Sequence, residues 1–276
     1  MRYFNKRERY ILYGATAAAA LTIAIVGLIT WRTNAMFANY LLAIAVVVVI
    51  FPEAVLFELE NRWRRAIEDK IPDLLEDIGE GQLAGMTFIR ALEGSANKNF
   101  GPLSMELRRV LNKIRVGGTV EEGFQLLSDR VESKLVRMAA TIIIETNRSG
   151  GDIERIVRSM AGYFWDVKAM TAERRGTMRV YVFITYISFA ILLATLIVIL
   201  NQLLYPLVVA GSTPLFTTQA PFSTYRLVLF HMTVILGFFS GLVAGKMGEG
   251  TIKGGLKHVI LMILISVVVF AFLIVA

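Results

Sequence analysis

The sequence predicts an all-α, polytopic membrane protein with about five transmembrane helices and one helical bundle inserted between the second and third. Three observations predict it. Uncharged stretches long enough to cross a bilayer recur along the 276 residues. The one long charged segment, residues 53–179, carries 20 basic and 20 acidic side chains. Apolar residues inside that segment recur at helical and not at strand spacing. The mean hydropathy of +0.60 and the 18% share of charged residues agree, since soluble domains carry about a quarter.

A helical span needs roughly 20 apolar residues. Residues 10–31 and 33–52 carry no charge, with only Arg32 between them; residues 180–225, 227–245 and 258–276 are also uncharged. Pro206, Pro214 and Pro221, among Ser, Thr and Gln, divide the longest stretch into a span and an external loop at about 206–225. Arg2, Lys6, Arg7 and Arg9 precede the first span, as in a signal peptide. Its apolar run is too long for an h-region, however, and Ala35 to Ala38 is not a small-x-small cleavage site, so it reads as a retained helix. Lys and Arg mark the inner side. With the N-terminus inside, 27 basic residues face the cytoplasm and only Arg32 and Arg226 face out. The expected layout is a basic tail at 1–9, a transmembrane hairpin at 10–55, a cytoplasmic domain at 56–176 and three spans in 177–276, with an inner loop at 246–257 and the C-terminus outside. The net charge of +7 comes from the tail, the two outer arginines and the inner loop, because the domain is balanced. Anionic headgroups account for such charges, and no basic face for nucleic acid emerges.

Within the domain, Leu103, Leu107, Val110, Leu111 and Ile114 form one helical stripe, Val120, Phe124, Leu127 and Val131 a second, and Ile153, Ile156, Val157, Met160 and Phe164 a third. Pro72 and Pro102 open helices, and Thr119 with Glu122 forms a capping box. A theme repeats: Gly85, Thr87, Phe88, Ala91 and Leu92; Gly117, Gly118, Thr119, Val120, Gly123 and Phe124; Gly150, Gly151, Asp152, Ile153, Ile156 and Val157. The cap residues Thr87, Thr119 and Asp152 lie 32 and 33 residues apart. In each copy glycine ends one helix, an oxygen side chain caps the next, and apolar residues follow. The chain from Glu58 to Lys70 and from Asp152 to Leu204 contains no proline, so the first and last domain helices are expected to continue into the spans.

The segment from Leu74 to about Ile199 resembles the F domain of type II secretion systems, shared with the platform proteins of type IV pilus machines. The residues that carry the resemblance are Gly85, Thr87 and Leu92, then Gly118, Thr119 and Phe124, and above all the run Glu145, Ser149, Gly150, Gly151, Asp152 and Ile153. The stretch from Gly241 through Lys246, Glu249 and Gly255 to His258 is similar to the corresponding loop of archaeal platform proteins. Longer members carry two such domains; the shorter Tad-type members are similar to this chain in having one. The resemblance implies a membrane platform without enzymatic activity or cofactor. Its implied partners are a hexameric cytoplasmic ATPase, pilin-like subunits, and either a second platform subunit or a second copy of itself.

Glu68, Asp69, Asp73, Glu76, Asp77 and Glu80 crowd one helix, and Arg108, Arg109, Lys113 and Arg115 another. The basic set is a candidate surface for docking the ATPase, against a solvated face or mutual pairing of the two helices. Arg62, Arg64 and Arg65 around Trp63 read as headgroup anchors. Glu145 and Asp152 are too few carboxylates for a metal site. Gly241 to Met247 has the look of a phosphate loop, but its spacing is short by one residue, and Met stands where Ser or Thr is needed. Gly237, Gly241 and Gly245, four residues apart, instead predict close helix packing in the fourth span. His231 and His258 have no acidic partner in any span, which argues against a proton relay. A transporter component or a membrane sensor is the alternative function, and the spans lack the ionisable residues a transporter needs.

Overall fold

The computed structural model of the chain describes residues 6–149, 153–209 and 221–272. Every regular element among them is helical, and five helical segments are long and apolar enough to cross a membrane. The chain divides into two compact units. One is built mainly from residues 59–174, the other from residues 5–58 and 175–276.

The second unit begins with α1, Lys6–Thr30, and α2, Ala35–Glu68. They form a hairpin in which Asn34 caps α2 by accepting from the Phe37 amide at 3.1 Å. The helices pass closely at Gly27, where a Cβ would stand in ordinary contact with the Ala38 carbonyl oxygen at 3.4 Å. Pro52 lies inside α2 and does not end it. The chain passes between the units within this helix, as it does again within α8, Ile153–Val198.

The first unit adds α3, Ile71–Leu83; α4, Phe88–Asn97; α5, Pro102–Arg115; α6, Val120–Val131; and α7, Lys134–Ser149. Proline stands in the first turn of α3 and α5 as expected. Leu103, Leu107, Val110 and Leu111 are buried, with Ile114 packed against them; Phe124, Leu127 and Val131 are buried, with Val120 alongside. Phe88 and Phe124 pack at 6.2 Å between ring centroids. From the third stripe, Phe164 is buried and Met160 packs on the core; the side chains of Ile153, Ile156 and Val157 lie outside the description. The stripe Val136, Ala139, Ala140 and Ile143 on α7 completes this core.

Two boundaries differ from the sequence expectation. Pro206 does not end the third span. The helix continues as a π-helical stretch, Ile199–Leu204, into α9, Tyr205–Val209, and the Tyr205 amide bonds to the Leu200 carbonyl. This wider turn carries the helix across a proline that has no N–H to give. The next helix, α10, already starts at Phe222 and runs to Glu249, and a 3-10 turn, Lys253–Gly255, leads into α11, Leu256–Phe272. Helical residues thus extend into both segments expected as loops, 206–225 and 246–257.

Candidate functional site

Two turns of the first unit carry the glycine and threonine of the repeat. Gly85 and Gly117 take left-handed backbone angles, φ +81° and +95°, which glycine adopts without a Cβ penalty. Thr87 then accepts from the Arg90 amide and Thr119 from the Glu122 amide. Gly118 sits so tightly on α5 that a Cβ would lie 2.8 Å from the Lys113 carbonyl oxygen. Gly150, Gly151 and Asp152 lie outside the described residues. Glu145 is exposed and meets Arg148, which also donates to Glu121 of α6. Hydrogen bonds to the Glu121 carboxylate hold the Arg148 guanidinium above its ordinary pKa.

The four cations of α5 separate into different roles. Arg109 donates to Glu106 at 2.7 Å. Lys113 pairs with Glu122 of α6 at 3.1 Å, and Arg115 with Glu93 of α4 at 2.9 Å. Arg108 is exposed and makes no ion pair or hydrogen bond among the described residues. Mutual pairing with the acidic helix, one of the readings weighed above, is thus replaced by pairing with α4, α5 and α6. The acidic residues find other partners: Asp73 meets Lys70, Asp77 meets Lys98 and Ser95, and Glu68 accepts from Ser133.

Glu106 was not singled out in the sequence. It is only 4% exposed and lies between Arg109 and Arg130, whose Nε is 2.7 Å away. A signal was present, since position 106 shares the face of Leu103 and Val110. Elsewhere, α4 and α5 enclose an open groove of about 200 Å³. Its floor is Ala96 and Leu111, and its edges are Glu93, Asn97, Arg108, Asn112 and Arg115. The anchoring role expected of residues 62–65 is corrected in two places. Arg64 donates to the Val131 carbonyl at 3.2 Å, and Trp63 packs on the bundle core.

In the second unit the three glycines lie where α10 meets α11 and its leading turn. A Cβ on Gly245 would fall 2.0 Å from the Gly255 Cα, and one on Gly241 2.5 Å from the Val259 nitrogen. At Gly237 it would meet Phe189 at 3.2 Å. The backbones touch because both sides are small. The sequence did not reveal that Gly254 and Gly255 are the other half of this seam. Lysines then tie the turn to α2: Lys253 reaches Glu53 at 2.8 Å, and Lys257 reaches Glu58 at 3.0 Å as well as Glu249. At the opposite end of α11, Arg226 donates to the Phe270 carbonyl at 2.6 Å and to the Tyr40 hydroxyl at 3.2 Å. His231 bonds to the Leu227 carbonyl of its own helix, and His258 to the Tyr186 hydroxyl. No group of three or more metal-binding side chains occurs among the described residues.

A helical bundle encoded between membrane-length helices defines a multi-pass membrane protein. Residues 74–200 match the family of the type II secretion system protein F, so the chain carries a domain of that family. It is also similar to an uncharacterized protein of Methanocaldococcus jannaschii, 28% identical over 222 residues. That match takes in 78% of this chain and 36% of the relative, so the chain spans about a third of the relative's length. No solved structure matches.

Proposed function

We propose that this chain is an assembly platform in the cell membrane for a type IV pilus-like, archaellum-like or type II secretion machine. On this reading a cytoplasmic hexameric ATPase acts on residues 56–176, and pilin-like subunits enter the filament beside the spans. The observation that carries it is the extent of the family match. Residues 74–200 take in both the bundle and the membrane-length part of α8, so what resembles the family is the domain together with its entry into the bilayer. The continuity of α2 and α8 through the unit boundary supports coupling between the two.

Deletion of the gene tests the reading. Surface filaments or secreted cargo should disappear while subunit precursors still accumulate in the membrane, seen by electron microscopy and immunoblotting of the same cells. Normal filaments and normal secretion in the deletion strain would remove the proposal.

A further inference from the structure

We infer that the charged end of the span within α8 carries a binding site for a phospholipid whose headgroup is net negative, held by Arg175 and Arg179. The inference does not rest on the platform reading; it needs only that this helix crosses a bilayer. The lysines of the turn before α11 are matched by acids of the same unit, Lys253 by Glu53 and Lys257 by Glu58 and Glu249. Arg175 and Arg179 are not. Neither makes an ion pair or hydrogen bond among the described residues; Arg179 is exposed and Arg175 half-buried. They are the last charges before the uncharged run 180–225. Four residues apart, they lie one turn from each other with a rise of about 6 Å between them. Two guanidinium forks at that spacing can converge on the oxygens of one phosphate.

What lies beside the arginines fits a lipid and not a soluble anion. The same four-residue step along α8 continues to Phe183 and Ile187, which are 64% and 43% exposed. The two cations thus stand at the head of an apolar stripe, as a phosphate stands at the head of its acyl chains. Gly176 shares the side of Arg179 and Phe183, and nothing lies within 4 Å of where its Cβ would be, so this side has room for the lipid's glycerol. The adjoining face of α8 is packed: Val182 comes within 3.1 Å of where a Cβ on Gly248 of α10 would stand, and Tyr186 bonds to His258. A soluble acidic partner would have to enter the bilayer to cover Phe183 and Ile187. The diffuse pull of an anionic leaflet acts alike on every cation near its surface, whereas two forks on one face select these positions. Lys246 of α10 separates the two effects. It is exposed and has no partner among the described residues, but it lies two residues from Gly248 and so points away from α8.

The test reconstitutes the full-length protein in phosphatidylcholine nanodiscs containing a minority of phosphatidylglycerol, then releases it into detergent for native mass spectrometry. The wild type should retain a single phosphatidylglycerol. Arg175→Gln/Arg179→Gln should retain it about tenfold less, as the loss of charge-assisted contacts implies, and Lys246→Gln should match the wild type. Phosphatidylglycerol should also raise the unfolding midpoint of the wild type and not that of the double variant. Equal midpoints in pure phosphatidylcholine show that the double variant is folded, and Arg179→Gln alone, at an exposed position, should lose lipid in the same direction. Undiminished retention by the double variant would overturn the inference. So would an equal loss in Lys246→Gln, the mark of diffuse attraction. Displacement of the lipid by excess inorganic phosphate would overturn it too, assigning the arginines to a soluble anion.

Discussion

Glu106 shows how one side chain sets the local architecture of the bundle. A carboxylate that is 4% exposed costs several kcal/mol to bury unless it is paired, and Arg109 and Arg130 supply the pairs from two different helices. Replacing it by Gln keeps the shape and one acceptor oxygen but removes the negative charge that both guanidinium groups pair with. Because the Arg109 side chain is 38% exposed, water recovers part of the loss. We expect a destabilisation of roughly 2 kcal/mol, below the figure for a fully buried pair. It would be read as a lower midpoint of thermal unfolding of the nanodisc-embedded protein, and an unchanged midpoint would show that the triad contributes nothing. The residue was hard to recognise in the sequence because one carboxylate on an amphipathic helix looks like part of the wet face. By contrast Thr87 and Thr119 were legible, since a cap acts on its own next turn and needs no distant partner. Glu132 was not: it ends α6 in a left-handed conformation, φ 51°, where glycine is the usual choice.

At the scale of elements, the glycines fall into two kinds. The spacing of Gly237, Gly241 and Gly245 along the fourth span is a local pattern, and its packing role could be read directly. Its counterpart, Gly254 and Gly255, sits across a turn, and only the folded chain brings the two sets together. Gly245→Ala would drive a methyl into the Gly255 backbone, 2.0 Å away, so α10 and the turn must separate. Overpacking of this kind costs about 1–3 kcal/mol or more. Gly162 of α8 has nothing within 4 Å of the corresponding position, and Gly162→Ala should stabilise by up to about 1 kcal/mol through helix propensity. Yield and unfolding midpoint of the two variants, prepared side by side, provide the check; equal behaviour would mean the close approach is not maintained in the membrane. The charged stripes of α3 and α5 teach a different lesson. Their opposite signs were plain in the sequence, but which helix each would face depends on the bundle's packing, and the α5 cations turn to α4, α5 and α6.

For the whole molecule, five membrane-length helices and the all-helical bundle were legible because both rest on long runs of simple composition. The loop limits were less so, since Pro206 acts as a breaker only where the surrounding helix cannot adapt, whereas Pro221 does stand at the start of α10. The sidedness expected from the distribution of Lys and Arg can be tested directly. The chain has no cysteine, so single-cysteine variants report their positions without background. Arg32→Cys should react with a membrane-impermeant maleimide in intact cells, and Asn112→Cys only after the cells are opened. The reverse pattern would put the bundle outside and end any role for a cytoplasmic motor.

The π-helical stretch at Ile199–Leu204 has a bearing on how the third span tolerates change. A wide turn of this kind stores a spare residue, and removing one residue there lets the backbone close into an ordinary helix. Such a deletion would swing Tyr205 and the side chains after it around the axis while leaving the ladder of hydrogen bonds before it intact. This stretch is thus a reserve of slack, a point at which the span can be re-aimed without being severed.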